Sequence, residues 1–145
     1  MRNSDPIEMT KKFVVVGVDG SEASLRAVDW ATDEAGYREA ELRVVHANLL
    51  EHRVLESPIL EDQAKRESAI VRAAVDRARL RCQSVTVRAF TVDPPAGEAL
   101  IRASGGAALL VVGSRGLSRM QELLLGSVSR ECVAGAPCSV LVVRG

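Results

Sequence analysis

Cysteine and aromatic residues are both scarce in this chain of 145 residues. The three cysteines, Cys82, Cys132 and Cys138, have neither a CxxC spacing nor another metal-ligand spacing, and their odd number argues against a disulfide framework. Only 3% of the residues are aromatic, so the core has to be built from aliphatic side chains. We therefore expect a protein of a reducing compartment, the cytoplasm.

An excess of charge of one sign is also lacking, because 19 basic residues balance 19 acidic ones. A balanced surface has no general field that attracts nucleic acid or an acidic membrane. No apolar run approaches the length of a membrane-spanning helix, and no basic and apolar leader opens the chain. We expect no nucleic acid and no membrane as partners, so a ligand must be held by a local site.

The usual signatures of catalysis are missing as well. The chain has no nucleophile elbow, no metal-ligand cluster and no paired carboxylates placed for acid–base work. The GxxxxGK[ST] loop, whose lysine contacts phosphates in standard NTPases, is absent too. We predict no catalytic residue and no direct metal ligand, so binding is favoured over turnover.

What the chain does have is a regular alternation of aliphatic runs and amphipathic segments. Residues 1–12 are polar and predict a flexible tail, and residues 13–145 predict one domain. Alternation of this kind predicts an α/β fold, a doubly wound parallel sheet of five strands with helices on both faces. Strands are predicted at 13–18, 42–47, 84–92, 107–112 and from Ser139 to Val143, and helices at 21–36, 58–82, 96–104 and from about 127 onwards.

One stretch, GSRGLSRMQELLLGSVS at 113–129, carries the features of an anion site. Gly113 and Gly116 have no Cβ, so the backbone there can adopt positive φ and an anion can approach the amide groups. Gly126 and Ser127 stand where a helix is predicted to begin. A helix start presents unpaired N–H groups and the positive end of the macrodipole, which together favour an anion.

The spacing of these glycines resembles the signature of the ATP-binding branch of the universal stress protein family. That signature has Gly113, two residues, Gly116, nine residues, and then Gly126 and Ser127. The resemblance extends to VVVGVDGSEAS at 14–24, LRVVHA at 42–47 and PCSVLVVRG at 137–145. It implies a Rossmann-like fold of the adenine nucleotide alpha hydrolase type, strand order 3-2-1-4-5, and a site at the carboxyl ends of the first and fourth strands.

The resemblance also implies a role for individual residues. It places Asp19 near the base and ribose, the backbone of Ala47 at the adenine, and Gly113, Arg115 and Gly116 at the near wall of a phosphate pocket. It assigns the β and γ phosphates to the amides and hydroxyls of a second group. That group is Gly126, Ser127, Val128 and Ser129, and Gly17, Val18 and Val112 complete the predicted site.

Several alternatives remain open for the charged and polar residues. Asp19 is either a ligand contact, a turn carboxylate or a group that holds Mg²⁺ through water. Arg115 and Arg119 are either mobile counter-charges to a phosphate or solvated loop arginines. His46, inside an apolar strand, is predicted to be buried, hydrogen-bonded and structural, and His52 to lie on the surface.

The predicted function is that of an ATP-binding universal stress protein, a regulatory or protective module of the stress response with at most slow ATP hydrolysis. AMP or cAMP is an alternative ligand. A protein of the same fold that binds no nucleotide and only contacts a protein partner is the other alternative. The resemblance implies a homodimer through the fifth strand, from Ser139 to Val143, whose apolar edge needs cover.

Overall fold

The computed structural model describes residues 12–48, 58–115 and 125–145, in which strands and helices alternate. The strands are β1 (Phe13–Gly17), β2 (Glu41–Ala47), β3 (Val87–Val92), β4 (Leu109–Gly113) and β5 (Val140–Val143). The helices are α1 (Glu22–Tyr37), α2 (Pro58–Arg81), α3 (Ala96–Ala103) and α4 (Ser127–Gly135).

The five strands form one parallel sheet in the order β3-β2-β1-β4-β5, which confirms the predicted fold class and strand order. Val14 of the central strand lies between Leu42 of β2 and Leu109 of β4. The winding of the chain reverses between β1 and β4. In an open α/β sheet this reversal leaves a crevice at the carboxyl ends of the two strands.

The core consists of two aliphatic layers, one on each face of the sheet. Val14 and Val16 point into the layer that α1 and α2 cover, where small alanines of both helices allow close packing. Val15, Leu110 and Cys132 of α4 belong to the layer on the opposite face. Burial raises the pKa of the Cys132 thiol to about 11, so this cysteine is a packing residue rather than a reactive one.

Local signals set most element boundaries, and a few boundaries differ from the prediction by one to three residues. Ser21 caps α1 as its position suggests, because its Oγ accepts a hydrogen bond from the Ser24 N–H at 3.2 Å. The predicted stop at Gly36 is wrong by one residue, since α1 continues to Tyr37. β3 begins three residues later than predicted, because a turn in which the Val85 N–H donates to the Cys82 carbonyl occupies that stretch.

Ion pairs between arginines of α2 and aspartates of α1 join the two helices on the protein surface. Arg77 donates two hydrogen bonds of 2.7 Å to the carboxylate of Asp29, and Arg81 donates two of 2.8 and 3.0 Å to Asp33. The hydrogen bonds from Arg77 hold the pKa of the Asp29 carboxyl below its ordinary value. These pairs align the two helices that cover one face of the sheet.

Within the described ranges, no helix combines the length and the apolar composition needed to cross a bilayer. Some predictions fall outside these ranges. They are the tail up to residue 11, His52, Gly116 and Arg119.

Candidate functional site

A cavity of about 230 Å³ opens where the sheet changes its winding direction. The carboxyl ends of β1, β2 and β4 and the first residues of α4 surround it. Every predicted site residue that the structure describes lines this cavity. These residues are Gly17, Val18, Asp19, Ala47, Val112, Gly113, Arg115, Gly126, Ser127, Val128 and Ser129.

One end of the cavity has an apolar floor that sequence reasoning missed. Val45 and Val92 of neighbouring strands line it together with Ala96 and Leu100 of α3. The alternation of side chains along β2 and β3 is the signal that could have identified both valines. A Cβ on Gly17 would lie 2.6 Å from Leu100 Cδ1, so the glycine at this position lets Leu100 reach the floor.

The opposite end of the cavity is the N-terminus of α4. Gly126 is the N-cap in an extended conformation, no side chain of the described residues caps the helix, and its first turn contains no acidic residue. The first amide groups of a helix have no partner within the helix, and they lie at the positive end of the macrodipole. Ser127 is exposed and Val128 half-buried beside them. This end of the cavity is therefore suited to a negatively charged group.

Ser114 connects the two halves of the glycine-rich stretch. Its carbonyl oxygen accepts hydrogen bonds from the Gly126 N–H at 2.6 Å and from the Ser129 Oγ at 3.0 Å, and its own N–H donates to the Val143 carbonyl. The Ser129 hydroxyl also lies 3.0 Å from the Gly126 carbonyl oxygen. In this structure the Ser129 hydroxyl is therefore directed at two carbonyl groups, which stabilises the two ends of the glycine-rich stretch, and its predicted contact with a phosphate stays a prediction.

Gly113 lines the cavity, but its backbone conformation differs from the one expected for it. Its φ lies outside the left-handed region, which Gly20 and Gly106 occupy instead. A Cβ on Gly113 would lie 2.9 Å from both the backbone carbon and the Cβ of Ala23 in α1. The absence of a side chain therefore allows α1 to pack against the end of β4, and the expected reason, positive φ, does not hold.

Asp19 lies half-buried in the cavity wall and also forms a turn. Its Oδ1 accepts a hydrogen bond from the Ser21 N–H at 2.9 Å, while its own N–H is 3.4 Å from the Ser24 Oγ. In the described ranges, Oδ2 has no hydrogen-bond partner. The interpretation of Asp19 as a turn carboxylate is thus confirmed, and one carboxylate oxygen remains for a ligand.

Ionisable groups are few among the described residues that line the cavity. Asp19 and Arg115 are the two that qualify, and the described residues contain no group of three or more side chains that could hold a metal ion. A single carboxylate that already anchors a turn is a poor basis for paired acid–base work. The arrangement offers an apolar pocket at one end and an anion site at the other.

His46 lies directly behind the cavity wall and is buried and hydrogen-bonded, as predicted. Its Nδ1 is 2.8 Å from the Val18 carbonyl oxygen, and its Nε2 is 3.2 Å from Oε1 of Glu67 in α2. The side chains of His46 and Glu67 are only 5% and 15% exposed, so water competes little for these bonds.

A model of the universal stress protein family matches residues 10–144. Universal stress protein Rv2624c of Mycobacterium tuberculosis is 35% identical over 137 residues, which cover 94% of this chain and 50% of the relative. The chain thus spans about half the length of that relative. A universal stress protein of Thermus aquaticus is 37% identical, with 92% of this chain and 98% of the relative covered.

A solved structure with a similar sequence agrees with the fold described above. A universal stress protein crystallised in complex with cAMP has a TM-score of 0.74 and 33% sequence identity to this chain. The likeness covers 92% of this chain and 97% of the other. The resemblance that the glycine signature indicated is thereby confirmed at the level of the family.

Proposed function

This chain belongs to the universal stress protein family, and we propose that it binds an adenine nucleotide in the cavity at the end of the sheet. The observation that carries the proposal is the pairing of two unlike ends in one cavity, an apolar floor and an uncapped helix start. A nucleotide has the same two parts, a flat base of low polarity and a charged phosphate group. We propose that ATP is the ligand.

The phosphates of ATP would meet the start of α4. Amide groups of Ser127 and Val128 donate there, and the exposed Ser127 hydroxyl adds a further donor. Each charge-assisted hydrogen bond contributes about 1.5 to 3 kcal/mol. Arg115 lines the same end and supplies the positively charged side chain of the described lining.

The base would lie on the aliphatic floor formed by Val45, Val92 and Leu100, with the backbone of Ala47 at its edge. Asp19 follows β1, which lies between β2 and β4, so we expect its carboxylate near the ribose. If Mg²⁺ accompanies ATP, the free Oδ2 of Asp19 fits it, because this ion takes one or two carboxylates together with phosphate oxygens. The ion would there neutralise part of the phosphate charge.

A second candidate ligand is cAMP. The observation that favours it is the relative of 33% identity whose structure contains cAMP. Cyclic AMP carries a single phosphate charge and would form fewer hydrogen bonds with the first amide groups of α4 than ATP would. Calorimetric titration of the protein with ATP, AMP and cAMP under one set of conditions separates the candidates, since ATP should bind most tightly if the helix start holds more than one phosphate.

The test of the site is the substitution Gly126→Asp, which places a negative charge at the cap of α4. We expect the Kd for ATP to rise at least about tenfold, since like charge opposes the phosphates at the helix start. Gly105→Asp is the matched control, because Gly105 is exposed at the far end of α3 and a Cβ there meets nothing closer than 3.4 Å. Unchanged ATP affinity in a folded Gly126→Asp variant would contradict the proposal.

We propose that the nucleotide acts as a signal rather than as a substrate, in a cytoplasmic module that regulates or protects during stress. The described cavity lining holds one carboxylate, Asp19, and offers no second group for acid–base catalysis, so hydrolysis should at most be slow. Mass spectrometry of the purified protein after denaturation should detect a co-purified adenine nucleotide. Its absence, together with no binding by calorimetry, would favour a protein that only contacts protein partners.

We also propose that the protein is a homodimer through β5. This strand lies at an edge of the sheet, and Val140, Leu141 and Val142 are only half-buried there. An apolar edge strand is open to further pairing, and antiparallel pairing with a second copy closes it without leaving a new edge. Sedimentation should give a dimer at micromolar concentration, and Leu141→Lys should give a monomer. A compact monomer of the unaltered protein would refute the dimer.

A further inference from the structure

The backbone hydrogen bonds between β1 and β2 end with the bond between Val18 and Val45. Glu41 N–H donates to the Lys12 carbonyl, and at the other end Val18 N–H donates to the Val45 carbonyl, both at 3.0 Å. In a parallel ladder, alternate residues of a strand face the same neighbour. The next bond in this series would run from the Ala47 N–H to the Val18 carbonyl.

A side chain takes the place of that bond. The Val18 carbonyl oxygen accepts its hydrogen bond from His46 Nδ1 at 2.8 Å. The bond from the Ala47 N–H to the Val18 carbonyl is not formed in the described part of the chain. The neighbouring Asn48 N–H faces the other way and donates to Val92, so the Ala47 backbone faces the gap beyond β1, where the residue lines the cavity.

The two contacts of the imidazole fix its orientation. A carbonyl oxygen only accepts, so Nδ1 must carry a proton. On the other side of the ring, Nε2 lies 3.2 Å from Oε1 of Glu67 in α2, and a hydrogen bond between these two atoms needs a second proton, on Nε2 or on the carboxyl group. A ring that is bonded at both nitrogens and almost fully buried cannot turn without losing both bonds.

We propose that His46 is a positioning residue for base recognition, an inference that rests on the proposed nucleotide site. By holding the Val18 carbonyl, His46 ends the ladder early and leaves the Ala47 N–H and C=O open towards the ligand. An adenine edge carries a ring nitrogen that accepts and an amino group that donates, which complements this pair. The same bond fixes the peptide between Val18 and Asp19, and thereby the start of the turn that carries the carboxylate.

Two substitutions separate the roles of the two ring nitrogens. In His46→Asn the side-chain amide can occupy the place of Nδ1 and donate to Val18, whereas in His46→Gln it reaches the place of Nε2 and faces Glu67. We expect His46→Asn to retain ATP affinity and His46→Gln to lose about three- to tenfold, the factor carried by one net hydrogen bond. The preference for ATP over GTP should fall by a similar factor in His46→Gln only.

A purely structural role of His46 would give a different result. Loss of packing would weaken binding of ATP and of inorganic tripolyphosphate alike, because both depend on the start of α4. Loss of base positioning should leave tripolyphosphate affinity unchanged. Equal ATP to GTP ratios in the unaltered protein and in a folded His46→Gln variant would overturn the inference, while ATP binding by the unaltered protein would still uphold the proposed function.

An experiment on the unaltered protein does not depend on the variants folding. Amide hydrogen exchange followed by NMR should find the Ala47 N–H poorly protected without ligand and at least about tenfold slower to exchange with saturating ATP. The Val45 N–H, which lies two residues earlier in β2 and within the ladder to β1, serves as the protected reference. Strong protection of Ala47 without ligand would overturn the inference. If ATP does not bind at all, the proposed function fails first.

Discussion

Replacing Gly113 by alanine separates a packing role of this glycine from a role in ligand approach. The new methyl group would lie 2.9 Å from the Ala23 carbonyl carbon and from its Cβ, and 3.1 Å from its carbonyl oxygen. Contacts of this length with a helix backbone cannot be relieved by rotating a side chain. The end of β4 and the first turn of α1 would have to move apart.

Overpacking of this kind costs about 1 to 3 kcal/mol of the free energy of unfolding. With a urea dependence of about 2 kcal/mol per molar, the midpoint of urea unfolding should fall by about 0.5 to 1.5 M. The methyl group meets Ala23 of α1, which does not line the cavity, so ATP affinity in the folded variant should change by less than about threefold, an effect below 1 kcal/mol.

Gly36→Ala provides a control of opposite sign. Gly36 lies within α1, its φ is not left-handed, and a Cβ there meets nothing closer than 3.7 Å. Alanine should therefore stabilise the protein by about 0.5 to 1 kcal/mol through its helix propensity. A Gly113→Ala variant that unfolds at the same urea concentration as the unaltered protein but loses ATP affinity would refute the packing argument and restore the ligand role.

Three further predictions concern other contacts. Asp29→Asn should lower the free energy of unfolding by at most about 1 kcal/mol near neutral pH, because the pair with Arg77 is partly exposed. The pKa of Asp29 is lowered in the folded state, so this difference should be fully present above the ordinary pKa of 3.8 and be lost as the pH falls through the lowered pKa of the folded state, as urea unfolding at several pH values will show. Ser129→Ala should cost about 1 to 2 kcal/mol in the same assay, since the Ser129 hydroxyl contacts the carbonyl oxygens of Ser114 and Gly126; a loss below about 0.3 kcal/mol would contradict the role of this hydroxyl. A thiol reagent at about pH 8 should modify Cys82, whose pKa is lowered by its hydrogen bond with Ser84, long before the buried Cys132, and mass spectrometry will identify the order.

The local pattern of the chain was sufficient for the order of elements and for the place of the site. Aliphatic runs, helix periodicity and glycine spacing depend on neighbouring residues, and they predicted the parallel sheet and the start of α4 at Ser127. The Ser21 cap was predictable for the same reason, because its partner Ser24 is three residues away. The alternation of side chains along β2 and β3 also indicates that Val45 and Val92 face the same side of the sheet, where they line the cavity.

Only the tertiary structure decided what each site residue contacts. Gly113 meets Ala23, His46 meets Glu67, and Ser129 is directed at Ser114. The two residues of each pair lie on different elements or, for Ser114 and Ser129, at the two ends of the glycine-rich stretch 113–129. The sequence by itself determined which segments are strands and helices, and their ends to within about three residues, because those properties arise from short-range sterics and hydrogen bonding. Which side chain faces which depends on how the helices pack across the sheet, and that packing is set by the whole core at once.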